Sequence, residues 1–148
     1  DSFSQYLHDR NCDRALVIAN DLQGYAVEIG LSCSFGRGVK YPAFTAKKND
    51  TTVFKVVSWD NQRSGFRVVV EIGIPTLMAH LKPEWSESDL RNLLSQISPV
   101  GQWSVIEHPQ VLYIDLELLD NEKNMSTFKD SISKICAAIF DIGEPLPQ

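Results

Sequence analysis

Residues 66–97 read FRVVVEIGIPTLMAHLKPEWSESDLRNLLSQI. In the first part of this stretch, apolar side chains occupy every second position from Phe66 to Ile74, and Arg67 and Glu71 lie between them. Alternation with a period of two is typical of a β-strand that buries one face. The stretch therefore predicts a strand with one face in the core.

The second part of the stretch predicts a helix. Ser86 can accept a hydrogen bond from an early backbone N–H, and the acidic residues after it suit the positive end of the helix dipole. Pro99 prevents easy continuation of the helix. The apolar residues between these limits recur at helical spacing and are Leu90, Leu93, Leu94 and Ile97. We expect a short packed helix.

Two more strands and a terminal helix follow. One strand is predicted within residues 101–107, and the next where residues 112–118 alternate between apolar and polar. The intervening residues 108–110 are few enough to join these strands as an antiparallel pair. A helix is predicted over residues 126–141 from an apolar stripe formed by Phe128, Ile132, Ile135 and Ile139.

A first helix is predicted near the amino-terminal end of the sequence. Small and apolar residues between Cys12 and Leu22 fit one helical face, and Gly24 is placed to end the helix. Residues 15–19 could alternatively form a buried strand. Helix is the favoured interpretation.

Three strands are predicted between this helix and residue 66. Their apolar patterns cover residues 25–31, 41–46 and 53–59. Pro42 favours an edge position for the second of them, because proline cannot donate to a strand ladder. The short polar loops between successive strands imply an antiparallel meander.

The predicted order of elements is α-β-β-β-β-α-β-β-α. We expect one α+β domain over residues 1–148, in which helices pack with an antiparallel sheet of five or six strands. The tail from about residue 143, which contains two prolines, is expected to fray.

This order of elements resembles the type III secretion chaperone-like fold, which includes the YbjN family and the class I secretion chaperones. The resemblance depends mainly on residues 66–141, and the chain has one more strand in its first group than the usual order. It implies a protein without catalytic chemistry that binds other proteins through apolar sheet and helix surfaces and often dimerises.

Composition argues against several classes of partner. A net charge of −5 and a pI near 5.1 give no reason to expect nucleic acid. No apolar run approaches the 18 or so residues of a membrane span, and no basic segment is followed by a long apolar one near residue 1, so we expect neither membrane insertion nor an attached secretion signal. The three cysteines, none in a CxxC pair, favour buried, reduced thiols in a cytoplasmic protein; they are Cys12, Cys33 and Cys136.

Among the residues that could act in catalysis or bind a metal, two pairs of carboxylates are the best candidates. Asp60 with Glu71 resembles the acidic pair of a metal-dependent nuclease, but Gly73 stands where such enzymes usually have lysine. Asp115 and Glu117 share one face of a predicted strand and could hold a divalent cation. Solvated strand charges are the favoured interpretation in both cases. We therefore expect no catalytic residue, no cofactor and no bound metal.

The leading hypothesis for function is a non-enzymatic, chaperone-like module that binds another protein and could form a homodimer. Trp85 is the expected anchor, because an indole combines apolar area with a hydrogen-bond donor. Tyr41 belongs to the predicted edge strand, to which an extended segment of a partner could add. Tyr113 is placed with Asp115 and Glu117, whose charges would tune specificity.

Two alternatives belong to other functional classes. A small metal-dependent enzyme or ligand sensor would require Asp60, Glu71 and His80 to converge in a sheet pocket. An acidic immunity protein would neutralise a basic toxin through its negative surface, and its binding would weaken with salt.

Overall fold

The structure is a computed structural model that describes residues 13–35, 43–61, 65–97, 102–104 and 111–140. Its strands are β1 (Ser32–Phe35), β2 (Ala43–Lys48), β3 (Thr51–Asn61), β4 (Gly65–Gly73), β5 (Gln102–Ser104) and β6 (Val111–Asp115). Its α-helices are α1 (Asp13–Glu28), α2 (Ile74–Met78), α3 (Glu87–Ile97) and α4 (Glu122–Ile139), and a 3₁₀ helix covers Leu116–Leu119.

The six strands form one antiparallel sheet in the order β1-β2-β3-β4-β6-β5. The predicted α+β class and antiparallel sheet are confirmed. The one-turn helix α2 and the 3₁₀ helix are additions to the predicted order of elements.

One face of the sheet carries the hydrophobic core. Phe44, Val56, Val70 and Ile114 are successive partners across four strands, and all four are buried. They belong to a single cluster with the buried faces of α1, α3 and α4. The helices therefore cover this face, and the opposite one is here called the outer face.

A β-bulge lets strand β3 bury neighbouring residues. Ala46 pairs with Phe54 but Lys47 pairs with Thr52, so Val53 is an extra residue in the ladder. The bulge shifts the alternation by one residue, and both Val53 and Phe54 are completely buried. Each half of β3 thus contributes to the same core.

Phe54 links the sheet to the last helix. Its ring meets Phe44 of β2 edge-on, with centroids 6.0 Å apart, and meets Phe128 of α4 edge-on at 5.7 Å. Such edge-to-face pairs stabilise by about 0.5–1.5 kcal/mol beyond the burial of their area.

The β2–β3 hairpin turns through Asn49 and Asp50, which both have positive φ, as a two-residue type I′ turn requires. β2 lies between β1 and β3, so the predicted edge position of this strand is wrong. Tyr41 and Pro42 lie outside the described residues.

Helix α1 continues past Gly24, so the predicted helix end there and the predicted strand over residues 25–31 are wrong. Tertiary contacts favour helix in this segment. Ala26 is fully buried, and the Tyr25 hydroxyl donates to the Lys129 carbonyl of α4 at 2.7 Å. The first strand begins only after the helix, and it is shorter than predicted.

The end of α1 is a Schellman motif centred on Gly30. The Gly30 N–H donates to the Val27 carbonyl at 3.0 Å, and the Leu31 N–H donates to the Ala26 carbonyl at 2.8 Å. Gly30 has a φ of +95°, which side chains rarely allow. Leu31 is buried beside the helix end, so the motif also directs the chain toward β1.

The predicted helix over residues 86–97 is confirmed as α3, with reciprocal capping at its start. The Asp89 N–H donates to Ser86 Oγ at 3.1 Å, and the Ser86 N–H donates to Asp89 Oδ2 at 2.9 Å. The predicted apolar stripe is buried at Leu90, Leu93, Leu94 and Ile97.

Helix α4 begins earlier than predicted, because the Asn121 side chain caps it by accepting from the Asn124 N–H at 3.0 Å. Its predicted stripe is buried at Phe128, Ile132, Ile135 and Ile139. The predicted strand over residues 112–118 is only partly correct. It ends at Asp115, where the 3₁₀ helix begins.

Gly24 within α1 and Gly30 just after it should respond oppositely to the same substitution. A Cβ at Gly24 would meet nothing within 4 Å, so Gly24→Ala should stabilise by about 1 kcal/mol through helix propensity. Gly30→Ala should cost about 1–2 kcal/mol because of its positive φ. Urea unfolding of both variants measures this, and equal destabilisation by the two would contradict the helix boundary.

Candidate functional site

The outer face of the sheet has a polar row at its centre. In register across the strands, Lys55 pairs with Glu71, and Glu71 pairs with Tyr113. Burial, followed by the charge of Glu71, raises the pKa of Tyr113. In the next row Asp115 pairs with Val69, which is itself buried. This face is therefore mixed in polarity.

The residues predicted to bind a partner do not form one site. Tyr113 and Asp115 share the outer face, where both are half-buried. Trp85 packs against the core cluster beside Ile139, on the helical side of the sheet. Glu117 is exposed in the 3₁₀ helix. Tyr41 lies outside the described residues.

The expectation that Asp115 and Glu117 share a strand face is wrong. The buried side chains of Leu116 and Leu119 lie three residues apart, which is one turn of a 3₁₀ helix. That turn takes Glu117 out of the sheet, so the two carboxylates are not presented side by side as a strand would present them.

Of the three residues proposed for a sheet pocket, Asp60 and Glu71 are separated along the sheet. Along β3, Asp60 is five positions from Lys55, the partner of Glu71, which is about 17 Å of strand. His80 is exposed after α2, and its Nδ1 lies 2.9 Å from the Thr76 carbonyl oxygen. The described residues contain no group of three or more His, Cys, Asp or Glu side chains that could hold a metal ion.

The described thiols are free, and their surroundings disfavour ionisation. Burial raises the pKa of Cys136 to about 12, although the charge of Lys48 opposes the shift. Burial also raises the pKa of the half-buried Cys33. Nucleophilic cysteines show the opposite shift. The predicted burial is thus confirmed for Cys136, and Cys12 lies outside the described residues.

A groove of about 640 Å³ opens between α1 and the start of α4 and is here called the helix groove. Its apolar lining consists of three buried or nearly buried residues and one exposed residue: Ile18, Leu119, Met125 and Val17. Its polar lining consists of Arg14, Asp21, Asp120, Asn121, Glu122, Ser126, Lys129 and Asp130.

The spacing of these residues shows how the groove is built. On α1 the lining positions are 14, 17, 18 and 21, which form one helical face over two turns. On α4 the positions 122, 125, 126, 129 and 130 form a second such face. The 3₁₀ helix supplies Leu119 between the two helices.

Two ion pairs cross the helix groove. Arg14 Nε donates to Asp120 Oδ2 at 2.8 Å, and a second bond joins Arg14 Nη2 to Asp120 Oδ1. Lys129 Nζ donates to Asp21 at 2.9 Å, and it also lies 5.3 Å from the ring centre of Tyr25. Solvent screens the attraction within such exposed pairs, so their main effect is on the charge around the apolar floor rather than on stability.

Sequence reasoning missed this groove. Its clearest signal was Val17, an apolar residue off the predicted helical face, whose side chain is 59% exposed. The residues that face α1 across the groove lie about a hundred positions later in the chain, as the pairs of Arg14 with Asp120 and of Asp21 with Lys129 show. Periodicity within one segment cannot identify such distant neighbours.

The chain matches no protein-family model, no curated protein and no solved structure. Among the described helices, none is both long enough and apolar enough to cross a membrane.

The two thiols should differ in reactivity toward iodoacetamide at about pH 8. A pKa of about 12 instead of 9.0 lowers the thiolate fraction of Cys136 about a thousandfold, and burial excludes the reagent. Peptide mass spectrometry should find Cys136 unmodified in the folded protein, with Cys33 modified slowly and both modified in urea. Modification of native Cys136 as fast as Cys33 would contradict the described packing.

Proposed function

We propose that this domain is a non-enzymatic protein-interaction module that binds a segment of a partner protein in the helix groove. The observation that carries the proposal is the open groove between α1 and α4, which has a buried apolar floor and an exposed apolar residue, Val17, on its wall. Buried core residues already fix the floor, so a partner would find a preformed surface.

The shape of the helix groove suits a short peptide segment. The two lining faces each extend about two helical turns, which corresponds to about 10 Å. Recognition of an amphipathic helix in a groove uses apolar anchors at the same helical spacing. A partner segment could therefore bury its apolar side chains against Met125 and Val17 while its polar side faces water.

We favour the helix groove over the outer face of the sheet as the binding surface. The central row of the outer face is charged or polar, and Val69 in the next row is already buried. In the helix groove, by contrast, Val17 presents apolar area that a partner could still cover, because its side chain is 59% exposed. The chaperone-like role implied by the order of elements is compatible with this surface.

The test is capture of a partner from a lysate of the source cells by three immobilised proteins. Val17→Arg places a large charged side chain in the groove, whereas Val27→Arg makes the same change on the same helix outside it. The two valines are equally exposed, each at 59%, so both variants should fold with closely similar melting temperatures.

We expect mass spectrometry to identify a stoichiometric partner with the wild-type protein and with Val27→Arg, and at least about tenfold less of it with Val17→Arg. Recovery of the same proteins in equal amounts by all three would contradict binding in the helix groove.

A further inference from the structure

The charges around the helix groove indicate the chemistry of its occupant. The lining contains four acidic side chains and two basic ones. Both basic groups are engaged within the groove, Arg14 by Asp120 and Lys129 by Asp21. Glu122 and Asp130 are the lining carboxylates that these two pairs do not use, so four carboxylates against two cations leave the lining with a formal net charge of −2.

These two carboxylates lie on α4. Glu122 is exposed at the first residue of the helix, and Asp130 lies two turns further along. Asp130 contacts Lys134 at 3.0 Å, but both side chains are more than half exposed, so this pair neutralises the carboxylate only weakly. The α4 side of the helix groove thus has one acidic group near each of its ends.

We propose that the occupant is a basic amphipathic segment of a partner protein, about two helical turns long. Its apolar side chains would cover the floor, and its lysine or arginine side chains would lie near Glu122 and Asp130. This inference rests on the proposed function, because it specifies the partner for the same groove.

A pair of labelled peptides tests the charge requirement. Each has about 15 residues and the same leucines at positions i, i+3, i+4 and i+7, with lysine on the polar face of one and glutamate on that of the other. Fluorescence anisotropy at about 0.05 M and about 0.3 M salt measures their affinities for the folded protein.

We expect the lysine peptide to bind at least about tenfold more tightly than the glutamate peptide, with weaker binding at the higher salt. Val17→Arg should abolish binding of the lysine peptide and Val27→Arg should not. This pair of variants separates the helix groove from general attraction to an acidic protein.

A second matched pair tests the acidic wall. Glu122→Gln should weaken binding of the lysine peptide about two- to fivefold, the range of an exposed charge contact. Glu87→Gln is its control, because Glu87 also begins a helix but lies outside the groove. Both variants lose the favourable interaction of a carboxylate with the amino-terminal end of a helix dipole. Equal weakening by the two would overturn the assigned contact.

Three outcomes would overturn the inference. Equal affinity for both peptides would exclude a charge requirement, while partner capture that depends on Val17 would still support the proposed function. Binding that is insensitive to Val17→Arg would move the site elsewhere. A wild-type dimer that Val17→Arg dissociates in sedimentation experiments, without peptide binding, would identify a second copy of this chain as the occupant.

Discussion

The edge-on contact of Phe54 with Phe128 joins the sheet to the last helix, and much of the structure depends on it. Phe54 makes this contact from the same face of β3 as Val56, and the bulge at Val53 brings the preceding half of β3 into the same core. With the middle of α4 anchored there, its first turns extend beside α1. The groove between the two helices is thus a consequence of how α4 is anchored to the core.

The segments predicted correctly are those whose determinants are local. The helix start at Ser86 is fixed by bonds within four residues, and its four apolar residues lie within three turns. In strand β4 the alternating residues Val68, Val70 and Ile72 belong to the core cluster, because this face meets the helices. In these segments, capping and periodicity agree with the burial found in the folded chain.

The errors occur where distant contacts decide between two local choices. Residues 25–31 alternate as a strand would, yet Tyr25 bonds to Lys129 and Ala26 is fully buried, so the segment stays helical. Gly24 was a reasonable helix end, but Gly30 has the positive φ that the motif needs. At Asp115, burial of two leucines in one 3₁₀ turn overrides a regular alternation.

The candidate site was the least predictable part, because its two walls come from opposite ends of the chain. Arg14 and Asp120 are 106 positions apart, and no pattern in either segment indicates that they meet. Among the residues proposed from the sequence, Tyr113 and Asp115 do share a surface, but Trp85 packs on the other side of the sheet. A sequence identifies exposed apolar residues such as Val17 more readily than the surface to which they belong.

The most direct measurement is hydrogen exchange, followed by mass spectrometry, of the protein alone and with its captured partner. Slower exchange in peptides covering residues 13–21 and 119–130, with little change in β4 and β6, is the result that binding in the helix groove predicts. Slower exchange confined to the strands that carry Lys55, Glu71 and Tyr113 would instead place the partner on the outer face of the sheet and contradict the account.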